Sequence, residues 1–138
     1  MRRDTTGPAG EGASARLIGV GVDIIEIERV GQAIERSGDR FVRRVFSEAE
    51  AGYARSRREP ARHLAARFAA KESVIKALRV PSGLGWLWRD IEVIRSDGPP
   101  SIRLSGRALE RASELGVASC HLSMSHSGTH AVAVVVLV

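Results

Sequence analysis

Ten residues near the amino terminus, RLIGVGVDII from Arg16 to Ile25, place the tightest condition on any fold this chain can adopt. Apolar residues alternate there, so the segment reads as a strand with Ile18, Val20, Val22 and Ile24 on one face. Leu17, Gly19, Gly21, Asp23 and Ile25 occupy the other. Two glycines on one face weaken a strand, which is rational where another backbone or a ligand must approach closely. Asp23 adds a carboxylate to that glycine face near the strand's end.

Beyond this strand the hydrophobic period changes. Ile27, Val30 and Ile34 recur at helical spacing through EIERVGQAIERSG, with Gly38 as the stop. Ser47 and Glu50 have the spacing of a capping box and open a second helical stretch. Pro60 stands in the first turn of a long helix, ARHLAARFAAKESVIKAL, which is rich in strong helix formers and ends before Pro81. DIEVIRS and SIRLSG, separated by DGPP, read as a hairpin, and GRALERASELG as a helix stopped by Gly116. Two last strands, near 118–125 and 130–138, flank a turn at Ser127 and Gly128. The order is β, helices, β-β, helix, β-β, without internal repeats, and predicts an α+β domain built on a mostly antiparallel sheet packed with helices. Residues 1–15, MRRDTTGPAGEGASA, have nothing to bury and read as a disordered leader, leaving 16–138 as one domain.

Composition excludes several classes. A chain of 138 residues with 43% hydrophobic content can bury a core without disulfides or a structural metal. The lone Cys120 excludes an internal disulfide framework and any multi-cysteine zinc site. The longest apolar run, Ala131 to Val138, is far shorter than the roughly 20 residues of a membrane-spanning helix. The first 15 residues lack the apolar stretch of a signal peptide, so a cytoplasmic protein is the default expectation. The net charge of +5 points to an anionic partner. Of its 21 cations only Lys71 and Lys76 are lysine, and both fall on the long helix.

Three groups of residues could carry chemistry. On a helical wheel counted from Phe68, Leu64, Ile75 and Leu78 form the apolar face, and Glu72 lies about 40° to its other side. A carboxylate buried there needs a cation or a metal; exposed, it forms an ordinary i, i+4 pair with Lys76. Asp23 is either the N-cap of the following helix or a second metal ligand. Together, Asp23 and Glu72 suit a magnesium site completed by water and substrate phosphate, with Arg67, Lys71 and Lys76 as phosphate-binding cations. This combination points to phosphoryl-group chemistry. In CHLSMSHSGTH, residues 120–130, no nucleophile-elbow pattern surrounds Ser123 or Ser125, and the alternating serines read as a polar strand face. His126, beside a glycine-containing turn, is a candidate phosphate ligand or proton shuttle. The stretch from Arg29 to Arg67 holds 10 arginines and five acids, a solvated helical face or a docking surface for an acidic partner. It matches no nucleic-acid reading motif, and its stacking candidates are only Phe41, Phe46 and Tyr53.

The segments GVGVDIIEIERV, ARFAAKESVIKAL, DIEV followed by GPPSIRLSG, and HLSMSHSGTHAVAVVV, in this order and spacing, resemble the holo-acyl-carrier-protein synthases. These are short, single-domain 4'-phosphopantetheinyl transferases, and the resemblance spans Leu17 to Val136. It implies an enzyme of fatty-acid or polyketide biosynthesis that binds magnesium and coenzyme A. A serine of an apo acyl carrier protein would attack the β-phosphate, with release of adenosine 3',5'-bisphosphate. By position, Asp23 and Glu72 match the metal ligands, and Lys76 matches the lysine on the reacting phosphate. Arg67, Lys71, Gly83, Gly85 and His126 match positions lining the coenzyme A site, with His126 supplied from a neighbouring subunit. Arg29, Arg40, Phe41 and Arg44 match the surface where the acidic carrier docks. Glu72 is the expected acceptor, through water, of the serine proton. Short members form trimers with active sites between subunits, so the resemblance implies a homotrimer, without nucleic-acid or membrane partners.

This chain departs from the family pattern at three places. Ser127 follows His126 where many members carry an acid, RVPS follows Leu78 where many carry glycine, and Ile25 is apolar where the two-lobed transferases have an acid. The last difference fits the short, self-associating type. A reading from another class is a non-catalytic basic module that binds nucleic acid or an acidic protein. For such a module Asp23 and Glu72 are dispensable, and binding falls with salt and needs no magnesium.

Overall fold

The computed structural model describes residues 14–81, 85–95 and 97–138, so most of the proposed leader and Gly83 lie outside the described residues. β1 (Gly19–Glu26) leads into α1 (Ile27–Ser37), α2 (Asp39–Val45), α3 (Glu48–Arg55) and the long α4 (Pro60–Ala77). A 3-10 turn (Gly85–Asp90) precedes β2 (Ile91–Ile94) and β3 (Ser101–Leu104), followed by α5 (Gly106–Leu115), β4 (Cys120–His126) and β5 (His130–Leu137). The strands form two antiparallel sheets, one in the order β1-β5-β4 and the other the β2-β3 hairpin. The expected α+β architecture and element order are present. Two short elements were not anticipated. α2 restarts after Gly38, whose φ of 54° breaks the helical path, and the 3-10 turn holds no hydrophobic period to betray it.

The glycine face of β1 is where α4 packs. A Cβ built on Gly19 would collide with the carbonyl oxygen of Ala77, and one on Gly21 with that of Ser73. The helix backbone therefore lies directly on the strand backbone, and Ser73 Oγ reinforces the contact by donating to Ala133 O on β5 at 3.0 Å. The opposite face of the same sheet carries Val20, Val22 and Ile24, which pair in register with Val136, Val134 and Val132. Ile24 is 65% and Val22 53% exposed.

α4 is buried nearly all round. Leu64, Val74 and Ile75 are joined inside by Ala65, Ala66, Ala69, Ala70 and Ala77 and also by Arg67, Lys71 and Ser73. The single apolar face expected from the helical wheel is too narrow a description, because α4 has the sheet on one side and α3 with β2 on the other. Its charged residues divide between interior and surface accordingly.

Glu50 begins as half of the expected capping box: Ser47 Oγ accepts from Glu50 N at 3.2 Å, and Glu50 Oε1 accepts from Ser47 N at 2.9 Å. The same Oε1 meets Lys71 Nζ at 2.8 Å, while Oε2 accepts from Val93 N at 3.1 Å. Lys71 Nζ also donates to the carbonyls of Trp88, at 2.9 Å, and Ile91. Both side chains are fully enclosed. One ion pair thus joins α3, α4, the 3-10 turn and β2. Burial pushes the Lys71 pKa down from its ordinary value, and Glu50 opposes that shift.

Stability measurements on the glycine seam and on the ion pair test this construction. Gly21→Ala should cost at least about 2–3 kcal/mol in chemical denaturation, because backbone rather than a flexible side chain fills the space. Gly52→Ala, on α3 with open space around it, should add about 0.5–1 kcal/mol. Lys71→Met should cost about 3–5 kcal/mol by stranding the buried Glu50, and combining it with Glu50→Gln should cost less than the sum of the two single changes.

Candidate active site

Asp23 and Glu72 come together from different elements. β1 delivers Asp23 on its glycine face, and the close seating of α4 brings Glu72 to the same place. Both carboxylates line an open cleft of about 450 Å³ that also borders Arg29, Phe41, Phe68 and Trp88. Neither takes the ordinary role left open by the sequence. Asp23 lies inside β1, and the N-cap of α1 is Glu26, so Asp23 does not cap the helix. Lys76 turns toward Asp23 instead of pairing with Glu72: its Nζ is 3.1 Å from Asp23 Oδ1 and donates to Val22 O at 2.8 Å. Glu72 Oε1 accepts from the indole Nε1 of Trp88 at 2.6 Å.

The donor set fits a magnesium ion. Two carboxylates, Asp23 and Glu72, line one solvent-connected cleft. Such a pair leaves several positions for water and phosphate oxygens, as magnesium requires.

A second cleft of about 370 Å³ lies at the other part of α4 and is bordered by Tyr53, His63, Arg67, Arg95, Ser125 and His126. Arg67 is 3% exposed, stacks 4.3 Å from the Tyr53 ring centroid and donates to His63 O at 3.2 Å. Its Nε is buried without a hydrogen-bond partner, an orphan donor of the kind a ligand satisfies. Burial, then the charges of Arg67, Arg57, His126 and Arg62, holds the His63 pKa below its ordinary value. The second cleft is therefore strongly cationic and suits a phosphorylated ligand.

The three α4 cations grouped by sequence thus separate. Lys76 pairs with Asp23, Arg67 faces the second cleft with His126, and Lys71 points into the interior toward Glu50. The expected phosphate contact of Lys71 is not formed by this arrangement, since its ammonium is fully committed to Glu50 and two carbonyls. Gly85 opens the 3-10 turn. Arg29 lies on α1 beside the first cleft with Phe41 of α2, and Arg40 and Arg44 are exposed on α2. Sequence reasoning missed Trp88 and the second role of Glu50. No motif marks Trp88, and the capping box accounted for Glu50 locally and concealed its distant partner.

The family model described as the 4'-phosphopantetheinyl transferase superfamily matches residues 19–135. The holo-[acyl-carrier-protein] synthase of Trichlorobacter lovleyi is 45% identical over 122 residues, covering 88% of this chain and 97% of that protein. Among solved structures, the holo-[acyl-carrier-protein] synthase of Neisseria meningitidis superposes with a TM-score of 0.79 at 29% identity, covering 89% of this chain and 99% of that one. The Helicobacter pylori holo-[acyl-carrier-protein] synthase in complex with coenzyme A gives a TM-score of 0.73 at 32% identity, covering 86% of this chain and 99% of that one. A family model matched over residues 19–135 and a relative 45% identical over 97% of its own length show that the chain belongs to the 4'-phosphopantetheinyl transferase superfamily, among the holo-[acyl-carrier-protein] synthases.

Proposed function

We propose that this chain transfers 4'-phosphopantetheine from coenzyme A to a serine of an apo acyl carrier protein. The observation that carries the reading is the convergence of Asp23 and Glu72 in one cleft rimmed by the cations of α1 and α4. The serine oxygen forms a bond to the β-phosphorus, the bond from that phosphorus to the bridging oxygen breaks, and adenosine 3',5'-bisphosphate leaves with the bridging oxygen. The serine proton is lost in the same step.

Asp23 and Glu72 are the residues that would hold magnesium, which when bound offsets the charge of the pyrophosphate and aligns it for in-line attack. Lys76 sits beside Asp23 with a half-exposed ammonium, placed to bind the transferring phosphoryl group. Glu72 is the carboxylate available to accept the serine proton through water. Arg67 and His126 bind the anionic nucleotide portion of coenzyme A in the second cleft. Arg29, Arg40, Phe41 and Arg44 form a basic surface with one aromatic ring, suited to an acidic carrier protein.

The working unit is a homotrimer in this reading. Val20, Val22, Ile24 and Val134 leave an apolar sheet face open to solvent, a liability for a lone subunit. In this reading one subunit's His126 meets the coenzyme A held by its neighbour's Asp23 and Glu72, residues that line separate clefts in a single chain.

Incubation with apo carrier protein, coenzyme A and magnesium should give the carrier one phosphopantetheine of added mass; no gain across a range of carriers overturns the proposal. Glu72→Gln should reduce transfer by about a hundredfold or more, and near-normal turnover with intact magnesium dependence would remove Glu72 from this role. Val22→Glu on the apolar sheet face should yield a monomer by light scattering with transfer lost. A fully active monomer would rule out the shared site.

A further inference from the structure

Trp88 stands in the 3-10 turn ahead of β2 and is held from two ends by consecutive residues of α4. Its backbone carbonyl accepts from Lys71 Nζ at 2.9 Å, and its indole Nε1 donates to Glu72 Oε1 at 2.6 Å. The indole is fixed sideways as well. The Phe68 ring packs against it at 5.6 Å between centroids, and the Arg44 guanidinium lies 5.9 Å from its centroid. Lys71 is in turn locked by Glu50 in the interior, so the position of the indole is referred back to the buried ion pair.

We infer that Trp88 is a positioning residue for Glu72: its indole N–H fixes the plane in which the Glu72 carboxylate meets a divalent cation, and its ring ties that orientation to Arg44 on α2. The inference rests on Glu72 being a metal ligand. A glutamate free to rotate about its side-chain bonds must lose that freedom when it coordinates, whereas one already held by a short, charge-assisted bond has lost it on folding. Hydrogen-bond partners of ligating groups typically affect metal affinity about 10- to 100-fold. Phenylalanine at this position would preserve an aromatic ring against Phe68 and Arg44 but supply no donor. The arrangement also gives Lys71 a part in the site without contact with phosphate, because it fixes the residue that fixes Glu72.

Calorimetric titration of magnesium into the protein saturated with coenzyme A, without carrier, provides a readout apart from turnover. Trp88→Phe should bind magnesium about tenfold more weakly. In the transfer assay its rate should fall at low magnesium and recover largely at saturating magnesium, which a merely loosened fold would not do. In wild-type protein the Trp88 indole proton resonance, identified by its loss in Trp88→Phe, should move upfield in Glu72→Gln as the bond to a charged acceptor disappears. Wild-type magnesium affinity in Trp88→Phe, or an indole resonance indifferent to Glu72→Gln, overturns the inference while leaving the metal site in place. Transfer by a wild-type protein that shows no magnesium binding would overturn the metal reading itself, and the inference with it.

Discussion

The enclosure of one ammonium against one carboxylate organises the centre of this molecule. Neither Lys71 nor Glu50 could stay charged in the interior alone, since an unpaired buried ion is strongly unfavourable. Each is satisfied only if α3, α4, the 3-10 turn and β2 arrive together, because Lys71 needs Glu50 and the carbonyls of Trp88 and Ile91, and Glu50 needs Val93 N. The pair contributes specificity: competing packings of the same helices would leave it unsatisfied. It also sets the register of the alanine-rich α4, since small side chains would tolerate sliding that the lysine's three partners do not.

The legibility of the fold followed the range of the interactions. Strand alternation in β1, the capping box at Ser47, Pro60 at the start of α4 and Gly116 at the end of α5 are local signals, and each element is present. The requirement for a close approach at Gly19 and Gly21 was also readable, because missing side chains leave a mark in the sequence. The identity of the approaching backbone was not, since that is decided by tertiary topology. The site was legible in its carboxylates but not in their partners. Lys76 is one turn from Glu72 along α4, yet its ammonium goes to Asp23, more than fifty positions away in the chain. Lys71 looked like a cation for phosphate because only the fold reveals that its side of α4 faces Glu50.

α4 passes from a cleft lined by Arg67, Arg95, His63 and His126 to one where the carboxylates of Glu72 and Asp23 stand among Arg29 and Arg36, within about two turns. Arg67 is kept in place by Tyr53 and the His63 carbonyl, and burial lowers its pKa from the ordinary value. These supports belong to α3 and to α4 itself. The support of Arg67 thereby comes from nearby sequence, whereas its cleft is completed by Arg95 and by Ser125 and His126 of β4, and the carboxylate cleft depends on β1 and on the turn containing Trp88.

The glycine seam between β1 and α4 makes tuning of the carboxylate site one-sided. With no side chains at Gly19 and Gly21, the strand and the helix stand too close to admit even a methyl group between their backbones. Any residue introduced on the seam can only open the distance between Asp23 and Glu72. Adjustment in the other direction has to come from residues off the seam. The turn carrying Trp88 and the arginine-bearing rim of α1 and α2 are the parts of the cleft that remain adjustable.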